Sequence, residues 1–264
     1  ECVSLLSRSH GLPSTIPVAT TMWQSLHDNL TLPADEVHIW RVWLHTTSVQ
    51  YLELLEQTLA ADEHARAQRF YFAKDRTAFI VARGTLRVVL GRYLRIPPQQ
   101  VQFAYTPNGK PELANPTAGN QSLNFNISHS QSLALYACCW NRAVGVDVEY
   151  LRPIAQDDRI AQRFFLPQEY DAWQSLPPVQ QQLGFFNCWT RKEAFLKARG
   201  VGLANELSSV EVSLKPGEAA EIRAVAAGDA AQWSLLELVP ASGYVGALVV
   251  EGVGWRVRYW EEPS

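Results

Sequence analysis

The sequence predicts an α+β protein made of two similar α/β subdomains in a pseudo-two-fold arrangement. Three observations carry this. Apolar residues form 47% of the 264-residue chain and charged residues 19%, a balance that closes a sizeable core and argues against disorder. Strand-like runs fall in two groups, before and after a junction near residues 141–143. Each group is accompanied by helical stretches with apolar residues three and four positions apart. The order strand, helices, strands, then strand, helices, strands, suggests a lead-in at 1–35, a first unit at 36–142 and a second at 143–264. One continuous α+β domain is the rival organisation.

The elements follow in order. Residues 1–33 hold Pro13, Pro17 and Pro33 among many Ser and Thr and read as an irregular lead-in packed by Trp23 and Leu26. Residues 36–45 alternate with β-prone side chains and predict a strand. Helices are expected over 49–59 and 61–71. A long one follows from 76 to about 94, capped by Asp75 and interrupted by Gly84. VQFAY at 101–105 is a short strand, and the Asn108-Gly109 turn leads into Lys110-Pro111. Residues 115–123 read as loop. Extended chain follows at 124–129 and a buried strand at 132–140. VGVDVE at 144–149 sets Val144, Val146 and Val148 on one face and Asp147 and Glu149 on the other. Helices are expected at 157–165, 167–176 with Pro167 in its first turn, and 179–199, ended by Gly200 and Gly202. Strands close the chain at 207–215, 232–239, 243–250 and 254–260.

Composition removes several function classes. A formal net charge of −3 implies no global attraction to nucleic acid or an anionic membrane. No apolar run approaches about 20 residues, so no transmembrane helix is expected. The opening ECVSLLSRSH lacks a basic-then-apolar signal-peptide pattern. Cys2, Cys138, Cys139 and Cys188 show no zinc-knuckle spacing and read as reduced and structural, which fits a cytoplasmic protein. Phosphate-loop, dinucleotide and His-based zinc motifs are missing from the sequence.

Asp147 and Glu149 are the clearest anomaly. Two residues apart on a strand, they point the same way and repel unless something neutralises them. They are either a solvated strand face or hard oxygen ligands for a divalent metal. WTRKEAFLKARG at 189–200 places Glu193 and Lys197 at i,i+4 on a helix. They form a surface pair, or else Glu193 supplies a third carboxylate if the helix packs beside 144–149. Trp189 and Phe195 read as packing residues. Asn126, Ser128, His129 and Ser130 lack a nucleophile elbow and read as core polar groups or phosphate contacts. Only five of the 23 basic residues are lysines; Lys110 in its turn can reach a phosphate as a point charge. Basic residues 66, 69, 74, 76, 83 and 87 form a solvated face or an anion patch.

Together these segments resemble the 4'-phosphopantetheinyl transferases of the two-subdomain, monomeric Sfp-type class. Asn126-Ile127-Ser128-His129-Ser130, Gly145-Val146-Asp147-Val148-Glu149 and Trp189 through Lys197 carry the resemblance, with Gly109-Lys110-Pro111 as a weaker fourth segment. It runs from about 36 to 205. It implies the fold of that family. The implied reaction is transfer of the 4'-phosphopantetheine group of coenzyme A to a serine of an apo acyl or peptidyl carrier, releasing 3',5'-ADP. The carriers implied are those of fatty acid, polyketide or nonribosomal peptide synthesis. Residue by residue, the resemblance makes Asp147, Glu149 and Glu193 the Mg2+ ligands and Lys197 the lysine beside the pyrophosphate. Ser128, His129 and Lys110 become contacts to coenzyme A, His129 at the 3'-phosphate, with Arg69 or Lys74 at the phosphate end. Trp189 and the Lys-Glu-Ala run are similar to the subclass with broad carrier acceptance. Glu193 is the expected general base, direct or through a metal-bound water, although a carboxylate at its ordinary pKa near ~4.3 is weak for that task. The competing expectations are a non-catalytic coenzyme A- or carrier-binding protein and a purely structural α+β protein.

Overall fold

The computed structural model describes residues 23–25, 30–46, 48–153, 157–201 and 207–262. Leu26, Gly202 and Cys2, invoked above, lie outside these residues. The α+β class holds. Strands β1 (Gln24–Ser25) and β2 (Glu36–Trp43) precede helices α1 (Val49–Glu56), α2 (Ala61–Gln68) and α3 (Ala73–Leu94). The hairpin β3 (Phe103–Tyr105) and β4 (Pro111–Leu113) leads to β5 (Thr117–Ala118), β6 (Gln121–Ser130), β7 (Leu133–Trp140) and β8 (Val144–Tyr150). Helices α4 (Asp157–Phe164), α5 (Pro167–Gln174) and α6 (Pro178–Arg199) follow. The chain closes with β9 (Val210–Val212), β10 (Ile222–Val225), β11 (Trp233–Leu238), β12 (Tyr244–Glu251) and β13 (Arg256–Glu261).

Two main sheets organise the molecule. The first has the order β1-β13-β2-β7-β6-β5 and the second β11-β12-β8. Helix α3 covers the first sheet, burying Leu86, Val89 and Leu90 with Trp40, Tyr136 and Cys138. Helix α6 covers the second, burying Phe195 and Leu196 with Val245, Ala247 and Val249. Between the sheets lies a third apolar layer, in which Val37, Ile39, Leu133 and Leu135 meet Val144, Val146, Val148 and Leu248. The alternation in β8 therefore sorts as its sequence predicts, with valines toward the first sheet and Gly145 against α6. The last strand, β13, crosses over and pairs in parallel with β2, so Arg256–Glu261 is built into the first sheet.

Several boundaries differ from expectation for identifiable reasons. Helix α3 begins at Ala73 with Phe72 at its N-cap, and Asp75 sits in the first turn, where a carboxylate still complements the helix dipole. Gly84 does not weaken α3 without return. An ideal Cβ there would stand 2.8 Å from Leu55 Cβ and Leu55 O, so the missing side chain admits α1. Of the expected loop 115–123, residues 117–118 form β5 and β6 already starts at Gln121. Among the described residues Cys138, Cys139 and Cys188 are free and buried.

Gly145 is the tightest point of the second half. An ideal Cβ would lie 2.0 Å from Ala194 O and 2.4 Å from Ala198 N, both backbone atoms of α6. Only glycine lets α6 lie this close to β8, and that approach brings Glu193 beside Asp147. Gly145→Ala is expected to cost about 1–3 kcal/mol of stability by overpacking. It should also cut turnover by more than the stability loss explains, because the helix carrying Glu193 moves. Turnover assayed well below the melting temperature checks this; wild-type turnover there would show that the close approach is unnecessary.

Candidate active site

The two halves meet in a polar seam. Asn126, Ser128 and Ser130 alternate on the face of β6 that looks toward β8. Their oxygens accept from the backbone N–H groups of Val146 at 2.9 Å, Val148 at 3.4 Å and Tyr150 at 3.1 Å. Ser128 Oγ also donates to Asp147 Oδ1 at 2.7 Å, and Ser130 Oγ donates to Glu149 Oε2 at 2.8 Å.

Lys197 joins this seam from α6. It makes no hydrogen bond to Glu193, its i−4 neighbour among the described residues. Its Nζ reaches across to Asp147 Oδ1 at 2.6 Å and Ser128 Oγ at 3.0 Å. Lys110 arrives from the other half, where its Nζ donates to Lys197 O at 2.6 Å and caps the end of α6. Burial holds Lys110 below the ordinary lysine range; Glu112 opposes this and Lys197 adds to it.

Two of the three acids are buried, Glu149 is half-buried, and all are close enough to feel one another. Asp147 and Glu193 are each only 5% exposed. Burial raises Asp147; Lys197 and Ser128 pull it down, and Glu149 pushes it up further. Burial, then Asp147, then Glu149 push Glu193 up to about 7, against the pull of Lys197. Without a cation, the site thus moves Glu193 into the range where a carboxylate takes a proton at neutral pH.

The donor set can be tested against a hard divalent cation. Among the described residues no group of three acidic, histidine or cysteine side chains stands assembled as a metal cage. The chemistry nevertheless fits. Asp147 Oδ2 is buried without a hydrogen-bond partner, an oxygen oriented and unspent. Burial, and after it the neighbouring carboxylates, raise both Asp147 and Glu193 against the pull of Lys197. A cation of the Mg2+ type takes such oxygens readily.

Beside the seam lies a cavity of about 250 Å3 whose lining includes Arg66, Phe79, Arg83, Tyr105, Ser128 and His129. Arg83 donates to Tyr105 Oη and to Glu63 Oε1 at 2.5 Å, and its guanidinium lies 4.0 Å over the Phe103 ring. His129 is exposed, on the face of β6 opposite to Ser128. Arg69 and Lys74 are also exposed but do not line this cavity. The arginines that line it are Arg66 and Arg83. They were visible only as members of a basic set, because choosing among the arginines of two consecutive helices requires knowing how α2 and α3 are set.

The motif residue next to Glu193 has a different task. Lys192 is fully buried, and its ammonium satisfies all three donors: Glu169 Oε2, Leu207 O and Val210 O, each at 2.7 Å. Glu169 in turn accepts from Leu166 N and Val212 N, both at 2.8 Å. Trp189 stacks on Phe185 with ring centroids 6.1 Å apart, the packing role expected of it.

Comparison with known proteins agrees with this architecture. The model of the 4'-phosphopantetheinyl transferase superfamily matches residues 143–249, and that of the 4'-phosphopantetheinyl transferase N-terminal region matches 41–141. The chain is 48% identical to the 4'-phosphopantetheinyl transferase HetI of Nostoc sp. (strain PCC 7120) over 238 residues, 90% of this chain and 97% of that one. It is 32% identical to a 4'-phosphopantetheinyl transferase of Bacillus subtilis, over 60% of this chain and 67% of that one. It is also 32% identical to the human L-aminoadipate-semialdehyde dehydrogenase-phosphopantetheinyl transferase, over 62% of this chain and 55% of that one. Both halves are matched in order and one relative is aligned almost end to end: the chain belongs to the 4'-phosphopantetheinyl transferase superfamily, in its Sfp-type class.

Proposed function

We propose that this protein moves the 4'-phosphopantetheine group of coenzyme A to a serine of an apo carrier protein, with Mg2+, releasing 3',5'-ADP. One observation carries the reading: Ser128 is shared, lining the cavity with Arg66 and Arg83 and donating to Asp147, whose carboxylate also accepts from Lys197. Arg66, Arg83 and His129 suit the phosphorylated nucleotide end, and Lys110 closes the junction between the halves. Asp147, Glu149 and Glu193 would hold the cation, whose charge offsets that of the pyrophosphate.

In the reaction, the serine hydroxyl of the carrier attacks the β-phosphorus of coenzyme A. A new phosphoester bond forms, and the bond to the bridging oxygen breaks, leaving 3',5'-ADP with the electron pair. Glu193, directly or through a water held at the cation, accepts the hydroxyl proton. Lys197 stands where it can neutralise a phosphoryl oxygen. Positioning and electrostatics supply most of such a transfer. Among the described residues no helix is long and apolar enough to cross a membrane. We further propose a cytoplasmic monomer serving carrier domains of fatty acid, polyketide or nonribosomal peptide synthesis.

Incubation with coenzyme A, Mg2+ and a panel of apo carriers, read by intact mass, tests the proposal. One phosphopantetheine should be gained on the carrier, and none once Mg2+ is chelated. A panel left unmodified while coenzyme A still binds would favour a non-catalytic binding protein.

A further inference from the structure

The seam contains one unit used twice. On β6, Ser128 and Ser130 are two residues apart; on β8, Asp147 and Glu149 are two residues apart. In each unit a single hydroxyl does two things. It accepts from the backbone N–H just after the acid, Val148 or Tyr150, and it donates its only proton to one oxygen of that acid. A third rung, Asn126 to Val146 N at 2.9 Å, has the same spacing but meets Gly145, which has no side chain to orient. The backbone bond fixes the hydroxyl, and the hydroxyl fixes the carboxylate. One oxygen of each acid is thereby engaged: Asp147 Oδ2 is left buried without a partner, and both bonds to the half-buried Glu149 carboxylate fall on Oε2. Arg152 reinforces the pattern, donating to Glu149 Oε2 at 3.0 Å, the oxygen that Ser130 already holds.

We infer that Ser130 is a positioning residue for cation binding, turning Glu149 so that its other oxygen joins that of Asp147. The inference rests on the proposed role of the acids in holding a divalent cation. Ser130 is itself 8% exposed and hydrogen-bonded within the seam; it acts through Glu149. A hydrogen-bond partner that orients a ligating side chain is generally worth 10–100-fold in metal affinity.

Mn2+ serves as the probe, its binding to the full chain followed by electron paramagnetic resonance with and without coenzyme A. Ser130→Ala should weaken Mn2+ binding about tenfold or more. Coenzyme A binding measured without metal should change less than about twofold, and Ser130→Thr, which keeps the hydroxyl, should restore Mn2+ affinity. In a Glu149→Gln background the same alanine substitution should have almost no further effect on Mn2+, since the two residues act as one unit. Should Ser130→Ala fail to fold, Ser130→Cys, nearly isosteric but a poor donor, replaces it in the same cycle. Mn2+ affinity unchanged by loss of the hydroxyl, or weakened equally in the Glu149→Gln background, overturns the inference. If wild type itself binds no Mn2+, the cation-binding role of the acids fails first.

Discussion

Glu193→Gln should lose transfer and gain stability at once. As general base, Glu193 is expected to contribute about 10²–10⁴-fold to turnover, so the amide should lower kcat by at least a hundredfold while coenzyme A still binds. The stability effect follows from linkage. The unfolded carboxyl titrates near 4.5 and the folded one near 7. Below pH 4.5 both states keep the proton and nothing is lost. Between these values the unfolded chain gives up its proton first, so stability falls as pH rises. Above pH 7 the full penalty applies, about 3 kcal/mol for a shift of this size. The shift of Asp147 has the same sign. Without metal, the melting temperature of wild type should therefore decline from pH 5 to pH 8. Glu193→Gln should flatten that decline and melt several degrees higher at pH 8. Added Mg2+ should restore much of the wild-type loss and little in the mutant. A mutant that keeps wild-type kcat excludes Glu193 as base; one that melts lower than wild type at pH 8 refutes the idea that its charge is held at a cost.

The chemistry of this site was more legible in the sequence than its wiring. Period-two geometry puts Asp147 and Glu149 on one face of a strand whatever surrounds it, and helical spacing puts Glu193 one turn before Lys197. What the period cannot supply is distance between elements. Read along the helix, Lys197 looks like the partner of Glu193; in space its ammonium goes to Asp147, because Gly145 lets α6 settle on β8. Ser128 looks like a phosphate contact and is one wall of the cavity, yet its proton is committed to Asp147. The crossover of β13 was invisible for the same reason, since strand pairing leaves no mark within RVRYWE itself. Strand β10 escaped notice because IRAV lies within an alanine-rich stretch with no alternation to follow.

Lys192→Met is expected to be among the most destabilising single changes that leave the acids untouched. The lysine lies one residue from Glu193, so a role at phosphate is the natural guess, but its three protons are already spent on Glu169 and on two carbonyls that fix the turn into β9. Removing one member of a buried ion pair strands the other, at a cost of about 3–5 kcal/mol. The carbonyls of Leu207 and Val210 lose their donor as well. Methionine fills most of the volume, so the loss reports charge and hydrogen bonds more than a cavity. The double variant Lys192→Met with Glu169→Gln separates these contributions. The amide keeps one acceptor for Leu166 N or Val212 N and removes the uncompensated charge, so it should recover about 1–3 kcal/mol of the single-mutant loss. Urea denaturation of the three proteins measures this directly. If Lys192→Met lies within 1 kcal/mol of wild type by that assay, the buried pair is not what holds α6 to α5 and β9. A stable Lys192→Met protein with normal coenzyme A binding and much slower transfer would instead return Lys192 to the reaction, at odds with an ammonium that has no free proton to offer.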